Sequence, residues 1–213
     1  MPEQQSEKES AFSFRDFFGD FLDILETSVT TIFVFLMIYA FTIRLVTVDG
    51  SSMNPTLYNG DKLVVASPLK ICNTGDIVVI DDAEAGVFLD PEEEVVLRKD
   101  GMKIVLVKRV IAHGGQELNI DFETGTVSVD GVVLDEPYIA APTTRDDGAF
   151  MYPFTVPEGY IFVMGDNRLG STDSRNPAVS LVPQEQVIGT AVFRYDRSED
   201  LCGSWRDRFA FLI

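Results

Sequence analysis

Gly50-Ser51-Ser52-Met53-Asn54-Pro55-Thr56-Leu57 is the stretch around which the other segments have to be placed. A glycine kinks the chain, and a proline stiffens the residues beside it. Glycine, serine, asparagine and proline are the ordinary residues of a surface turn, and that is one account of it. The other is a nucleophilic serine held in a stiff turn. The position favours asking: Ser52 comes eight residues after Arg44, which ends the uncharged apolar run Thr27–Ile43. Eight residues reach about 28 Å at most, so a hydroxyl at Ser52 is confined near whatever that run enters.

The run, TSVTTIFVFLMIYAFTI, is 17 residues without a charge and has no polar face. It is at the short end for a membrane-spanning helix, but a helix that is apolar all round belongs in lipid or in a core. Before it, Phe14, Phe17, Phe18, Phe21, Leu22 and Leu25 recur at spacings of three and four between Asp16, Asp20 and Asp23, the pattern of an amphipathic helix. A cleaved leader fits poorly, because the flank up to residue 26 carries seven acids against Lys8 and Arg15, where a leader is short and basic. The expected layout is a polar tail with an amphipathic helix over 1–26, a transmembrane helix over 27–44, and a β-rich domain over 45–213.

The chain has 213 residues and a net charge of −17. That charge excludes a nucleic-acid partner, which needs a basic face, and excludes electrostatic attachment to anionic lipid. Contact with a bilayer must therefore be hydrophobic. Cys72 and Cys202 are too far apart in sequence for a metal-ligand spacing and too few for a disulfide framework. No metal or other cofactor is expected. His113 is the single histidine.

After Arg44 the pattern is mainly β. Apolar, β-branched runs at Leu45–Val48, Leu63–Ala66, Ile77–Ile80, Met102–Ala112, Tyr160–Met164 and Val187–Phe193 are bounded by turn residues. Leu118–Phe122 alternates, and Asp130-Gly131 is a two-residue hairpin signal between Thr126–Val129 and Val132–Leu134. Residues 81–100 hold eight acids and two bases and form either a solvated loop or an edge hairpin. Residues 135–159 are mostly loop, and Trp205–Ile213 is a short amphipathic tail. The expected fold is a domain of antiparallel sheets with long loops, preceded by one transmembrane helix.

A serine needs a base. The G-x-S-x-G elbow is absent around Ser52, which argues against an α/β-hydrolase. His113 lies where a strand runs into Gly114-Gly115 and suits a structural role. Lysine serves only when neutral, so its pKa must fall from about 10.4 toward neutrality, at roughly 4 kcal/mol. Lys108 is the candidate: in a strand it shares its face with Ile104, Leu106 and Val110, while Arg109 points the other way with Val105, Val107 and Ile111. The alternative is an edge strand whose lysine reaches water or the acids of 81–100. The third stretch, Gly165-Asp166-Asn167-Arg168-Leu169-Gly170-Ser171-Thr172-Asp173-Ser174-Arg175, reads as a polar loop in which Asp166 pairs with Arg168 and Asp173 with Arg175.

These stretches, in this order after a membrane-length segment, resemble the bacterial type I signal peptidases, membrane-bound Ser/Lys leader peptidases. The matching boxes are Ser52-Met53-Asn54-Pro55-Thr56-Leu57, Gly75-Asp76-Ile77-Val78-Val79, Lys108-Arg109-Val110-Ile111 and Gly165 to Arg175. The resemblance covers roughly 27–195 and looks like the Gram-positive form with one anchor. It implies Ser52 as nucleophile, Lys108 as general base, Ser171 holding the lysine amine, and the Ser52 N–H as an oxyanion donor. Some relatives add a hydroxyl two positions before the nucleophile; here that position is Gly50, so backbone must suffice. Asp166, Arg168, Asp173 and Arg175 would be supports. Val48, Met53, Leu57, Leu106 and Val107 match the lining of small apolar pockets. The implied substrates are secretory preproteins cut after A-x-A, bound as an added strand, with no obligate protein partner. The implied orientation is N-terminus cytoplasmic and domain extracytoplasmic at the cell membrane.

One departure is Ala112-His113-Gly114-Gly115-Gln116, where the family usually continues Gly-Leu-Pro-Gly-Asp. Two rival functions stand beside this one: a self-cleaving Ser/Lys repressor-type protease, which needs a soluble DNA-binding module in place of the apolar span, and a membrane-anchored β-domain that binds without catalysis.

Overall fold

The computed structural model describes residues 14–67, 72–89, 96–196 and 208–212. The polar residues 1–10, Cys202 and most of the acidic tract's tip lie outside the described residues, as does the first part of the Trp205–Ile213 tail.

One helix, α1, runs from Phe14 to Thr42. Amphipathic start and apolar continuation are therefore one uninterrupted element, because no Pro or capping residue breaks the hydrogen-bond ladder between them. Phe17–Thr42 is long and apolar enough to cross a membrane, and none of it is buried inside the structure. The helix ends two residues earlier than the expected boundary: Ile43 and Arg44 already belong to strand β1 (Ile43–Thr47) and pair with Ala66 and Val65. The β-branched run Leu45–Val48 draws them into the sheet. The residues up to Phe41 and those from Thr42 onward form separate compact units.

The second unit is mainly β. One curled antiparallel sheet takes the order β1, β2 (Lys62–Ala66), β13 (Val187–Asp196), β3 (Ile77–Asp81), β6 (Val105–His113), β11 (Tyr160–Met164) and β12 (Val182–Pro183), with β14 (Ala210–Phe211) also on β13. The final apolar tail thus contributes a strand rather than only an amphipathic segment. A smaller sheet orders β10 (Phe154–Thr155), β7 (Glu117–Asp121), β8 (Thr126–Val129) and β9 (Val132–Val133). The Asp130-Gly131 turn has both residues at positive φ, 51° and 75°, as a type I′ hairpin requires. The acidic tract is an edge hairpin of β4 (Glu84–Phe88) and β5 (Val96–Asp100).

Three buried clusters hold the domain. Ile111, Leu118, Phe154 and Phe162 join the two larger sheets. Val78, Ile80, Leu106, Val110 and Val163 fill one face of the β3–β6–β11 centre. Val48, Met53, Leu57, Leu63, Ile77 and Val79 pack beneath the 50–57 turn. Strands that bury both faces read as nearly continuous apolar runs, which is why β3 and β6 do.

Candidate active site

The 50–57 stretch is built as a stiff turn on a buried footing. Val48 N–H donates to Asp61 O (2.8 Å) and Gly60 N–H to Val48 O (2.8 Å), tying the two ends together. Gly50 takes φ +96°, a conformation that strains other residues, and its N–H donates to Asn59 Oδ1 (2.8 Å). Met53 and Leu57 are buried in the core below and anchor the turn. Ser52, between exposed Ser51 and buried Met53, remains partly exposed.

Lys108 comes from the centre of β6, opposite Val78 of β3. Its Nζ lies 2.9 Å from Ser52 Oγ and 3.2 Å from Val107 O, within hydrogen-bonding distance of both. Only 2% of the residue is exposed. Burial pushes its pKa down to about 8, against the opposing pull of Asp173, Asp82 and Asp166. Desolvation wins because none of these carboxylates touches the amine, whose contacts are a hydroxyl and a carbonyl. The edge-strand alternative is thereby removed: β6 is interior to the sheet, with β3 on one side and β11 on the other. His113, five residues further along β6, pairs with Ile161 at the far end of the strand. At about 3.3 Å per residue it is roughly 16 Å from Lys108, too far to serve Ser52.

The loop Gly165–Arg175 straps the turn from the other side. Asn167 N–H donates to Ser52 O (3.0 Å) and its Nδ2 to Ser51 O (3.1 Å). Gly165 is required by space, since a Cβ there would run into the Ser52 carbonyl oxygen and the Ser171 side chain. Ser171 is fully buried, but its Oγ has no hydrogen-bond partner and does not bond Lys108. Among the described residues the Ser52 N–H is likewise not engaged by the protein.

The ion pairs differ in part from the expected ones. Arg175 and Asp173 do form a buried bidentate pair, 2.9 and 2.8 Å, and Asp173 also accepts the Gly165 N–H (2.9 Å). Asp166, however, pairs with Arg109 (2.8 and 2.6 Å) and accepts from Thr56 Oγ1 (2.5 Å). Arg168 turns away to Glu136 (2.5 and 3.1 Å) and Thr143 Oγ1 (2.6 Å). In the tight turn at 165–168 the Arg168 N–H donates to Asp166 O (3.1 Å), but the two side chains take different partners, so nearness in sequence does not become an ion pair. Glu136 and Thr143 had no signal as site supports, because each is drawn in by long-range packing, and Arg109, though inside a matching box, reads in the sequence only as pointing away from Lys108.

A cleft of about 770 Å³ opens beside Ser52 and Lys108. Val48, Leu106 and Val107 line it, together with Val46, Ile104 and Ile188. Met53 and Leu57 do not; they lie in the core under the turn. The arrangement offers a hydroxyl, an adjacent amine tuned towards neutrality, a spare N–H and an apolar groove, which together suit attack on a carbonyl.

The sequence pattern of the family "Signal peptidase, peptidase S26" matches residues 21–196. A signal peptidase I from Bacillus amyloliquefaciens is 32% identical over 176 residues, covering 78% of this chain and 80% of that one. One from Bacillus licheniformis is 34% identical over 168 residues, 74% and 79% of the two chains. A solved signal peptidase I structure from Enterococcus faecalis matches at 26% identity and TM-score 0.37, covering 56% of this chain and 96% of that one. A family match running from within α1 to the end of β13, and relatives about a third identical over most of both chains, make this chain a peptidase of the signal peptidase family, peptidase S26.

Proposed function

We propose that this protein is a membrane-bound serine endopeptidase that removes signal peptides from secretory precursors through a Ser52–Lys108 dyad. The observation that carries the proposal is the 2.9 Å approach of a buried Lys108 Nζ to Ser52 Oγ. Neutral Lys108 takes the Ser52 proton as Oγ attacks the scissile carbonyl. The Ser52 N–H stabilises the oxyanion, with no hydroxyl at Gly50 to assist. The Lys108 ammonium then protonates the leaving amine, and an acyl-enzyme remains. Lys108, neutral again, deprotonates a water that attacks the acyl carbon and restores Ser52. Ser171, buried and unpaired beside the turn, is available to hold the amine as it moves. Asp166, Arg168, Asp173 and Arg175 set the geometry of the strap.

The substrate lies in the cleft as an added strand beside β1. The apolar lining around Val48, Leu106 and Val107 supports a preference for small side chains, as in an A-x-A site. Helix α1 anchors the protein in the cell membrane, with the N-terminal tail cytoplasmic and the domain from residue 45 extracytoplasmic.

The test is cleavage of one A-x-A precursor in detergent. Ser52→Ala and Lys108→Ala are both expected to abolish it. Wild-type kcat/KM is expected to rise with pH through about 8, as Lys108 loses its proton. A Lys108→Ala variant that still cuts, or a rate falling steadily across that range, would sink the dyad.

A further inference from the structure

The acidic hairpin β4–β5 takes no part in the dyad, but its base reaches the cleft. Below the closing pair Glu84–Asp100, the chain is knotted by backbone bonds: Gly101 N–H to Ala83 O (2.9 Å), Lys103 N–H to Asp82 O (2.7 Å) and Asp82 N–H to Ile104 O (3.0 Å). Asp82 is at the centre. It is fully buried, and its Oδ2 accepts the Met102 N–H at 2.8 Å. Its Oδ1 has no hydrogen-bond partner, and among the described residues Asp82 has no cation partner. Gly101 leaves the room this needs, since a Cβ there would meet the Asp82 backbone and carboxyl. The segment so held supplies Met102, Ile104 and Val105 to the wall of the cleft.

The register places the same residue on the sheet face that carries Lys108. Val78 is opposite Lys108 and Ile80 opposite Leu106. Alternation then puts Asp82, two beyond Ile80, on the face that carries Lys108. We propose that Asp82 is a positioning residue for the Ser52–Lys108 site, its buried carboxylate fixing the Met102–Ile104 wall of the cleft and presenting an unneutralised charge to the face of Lys108. The proposal rests on the dyad reading. Three carboxylates act on Lys108: Asp173, Asp82 and Asp166. Asp173 is neutralised by Arg175 and Asp166 by Arg109. Asp82, on which Asp81 and Lys108 are the charged neighbours acting among the described residues, is not. It is therefore the carboxylate that can be removed from the surroundings of the amine without leaving a buried arginine unpaired.

Two variants separate the two tasks, measured as kcat and KM against pH on one precursor in detergent. Asp82→Asn keeps an acceptor for the Met102 N–H but removes the charge. Its KM should stay within about twofold of wild type while the acid limb of kcat/KM moves to lower pH. Asp82→Ala removes both, and should raise KM by about tenfold with the same movement of the limb. A wild-type acid limb in Asp82→Asn overturns the electrostatic task. An unchanged KM in a folded Asp82→Ala overturns the positioning of the wall. If Asp82→Ala does not fold, the limb of Asp82→Asn decides the proposal alone. Ser52→Ala and Lys108→Ala run beside them: if those still cut, the dyad itself fails, whereas inactive dyad variants with wild-type Asp82 profiles overturn only this inference.

Discussion

Lys108 and Arg109 are neighbours on β6, both cations and both buried, yet their surroundings are opposite. Arg109 meets Asp166 through two hydrogen bonds, donates to the Gly75 carbonyl at 2.6 Å, and lies 3.8 Å over the Tyr138 ring. Lys108 meets a serine hydroxyl and a main-chain carbonyl, with its nearest carboxylates engaged elsewhere or held at a distance. Burial alone therefore does not neutralise a cation. Burial with a contacting carboxylate preserves the charge and makes a clamp; burial without one loosens the proton and makes a base. Arginine suits the first task because it stays protonated in proteins and grips both carboxylate oxygens. Lysine suits the second because its pKa is free to fall.

The largest effect should come from making the two sides alike. Lys108→Arg keeps the cation and abolishes its titration, so cleavage should fall roughly 10²–10⁴-fold, the usual worth of a general base. Recovery of that activity at any pH would show that a neutral amine is not required. Removing the clamp instead should cost the fold. Asp166→Ala leaves Arg109 buried without its carboxylate, which typically destabilises by about 3–5 kcal/mol; urea unfolding of the variant would measure it, and an unchanged midpoint would contradict the contrast.

Lys108 itself should be a burden on stability. Its folded pKa of about 8 is below its ordinary 10.5, so the unfolded chain holds the proton more tightly between those values. Wild-type stability therefore rises with pH across that window, and below it the lysine costs roughly 3 kcal/mol. Lys108→Met should be more stable than wild type at pH 7, with the advantage gone by about pH 10.5. Thermal unfolding at the two pH values checks this, and a variant no more stable at pH 7 counts against it. The smallest effect belongs to the other titratable residue of β6. Burial holds His113 below its ordinary pKa, but it is far along the strand from Ser52, so His113→Ala should keep most of the activity in the same precursor assay.

Much of this contrast is legible in the residues themselves. Alternation puts Lys108 and Arg109 on opposite faces of β6, and the apolar company of Leu106 and Val110 marks the lysine as the unusual one. Asp130-Gly131 and the β-branched runs locate the strands to within a residue or three. Partnership is not legible in the same way. Nearness in sequence suggests Arg168 for Asp166, but Asp166 is clamped by Arg109, and Arg168 takes Glu136 from a loop 32 positions distant. The acidic tract reads only as a loop or a hairpin, and nothing in it marks Asp82 as the partner of the Met102 N–H beside the cleft.

The sequence alone determined the apolar helix, the mainly β domain, the 50–57 turn and the apolar company of Lys108 on its strand face, because these rest on local periodicity and turn chemistry. Only the tertiary structure decided which carboxylate each cation met, that the Lys108 amine lies against Ser52, and that Met53 and Leu57 support the turn from below without lining the cleft. Those outcomes depend on strands distant in sequence being brought side by side, and no local pattern encodes which partner a side chain meets across a curled sheet.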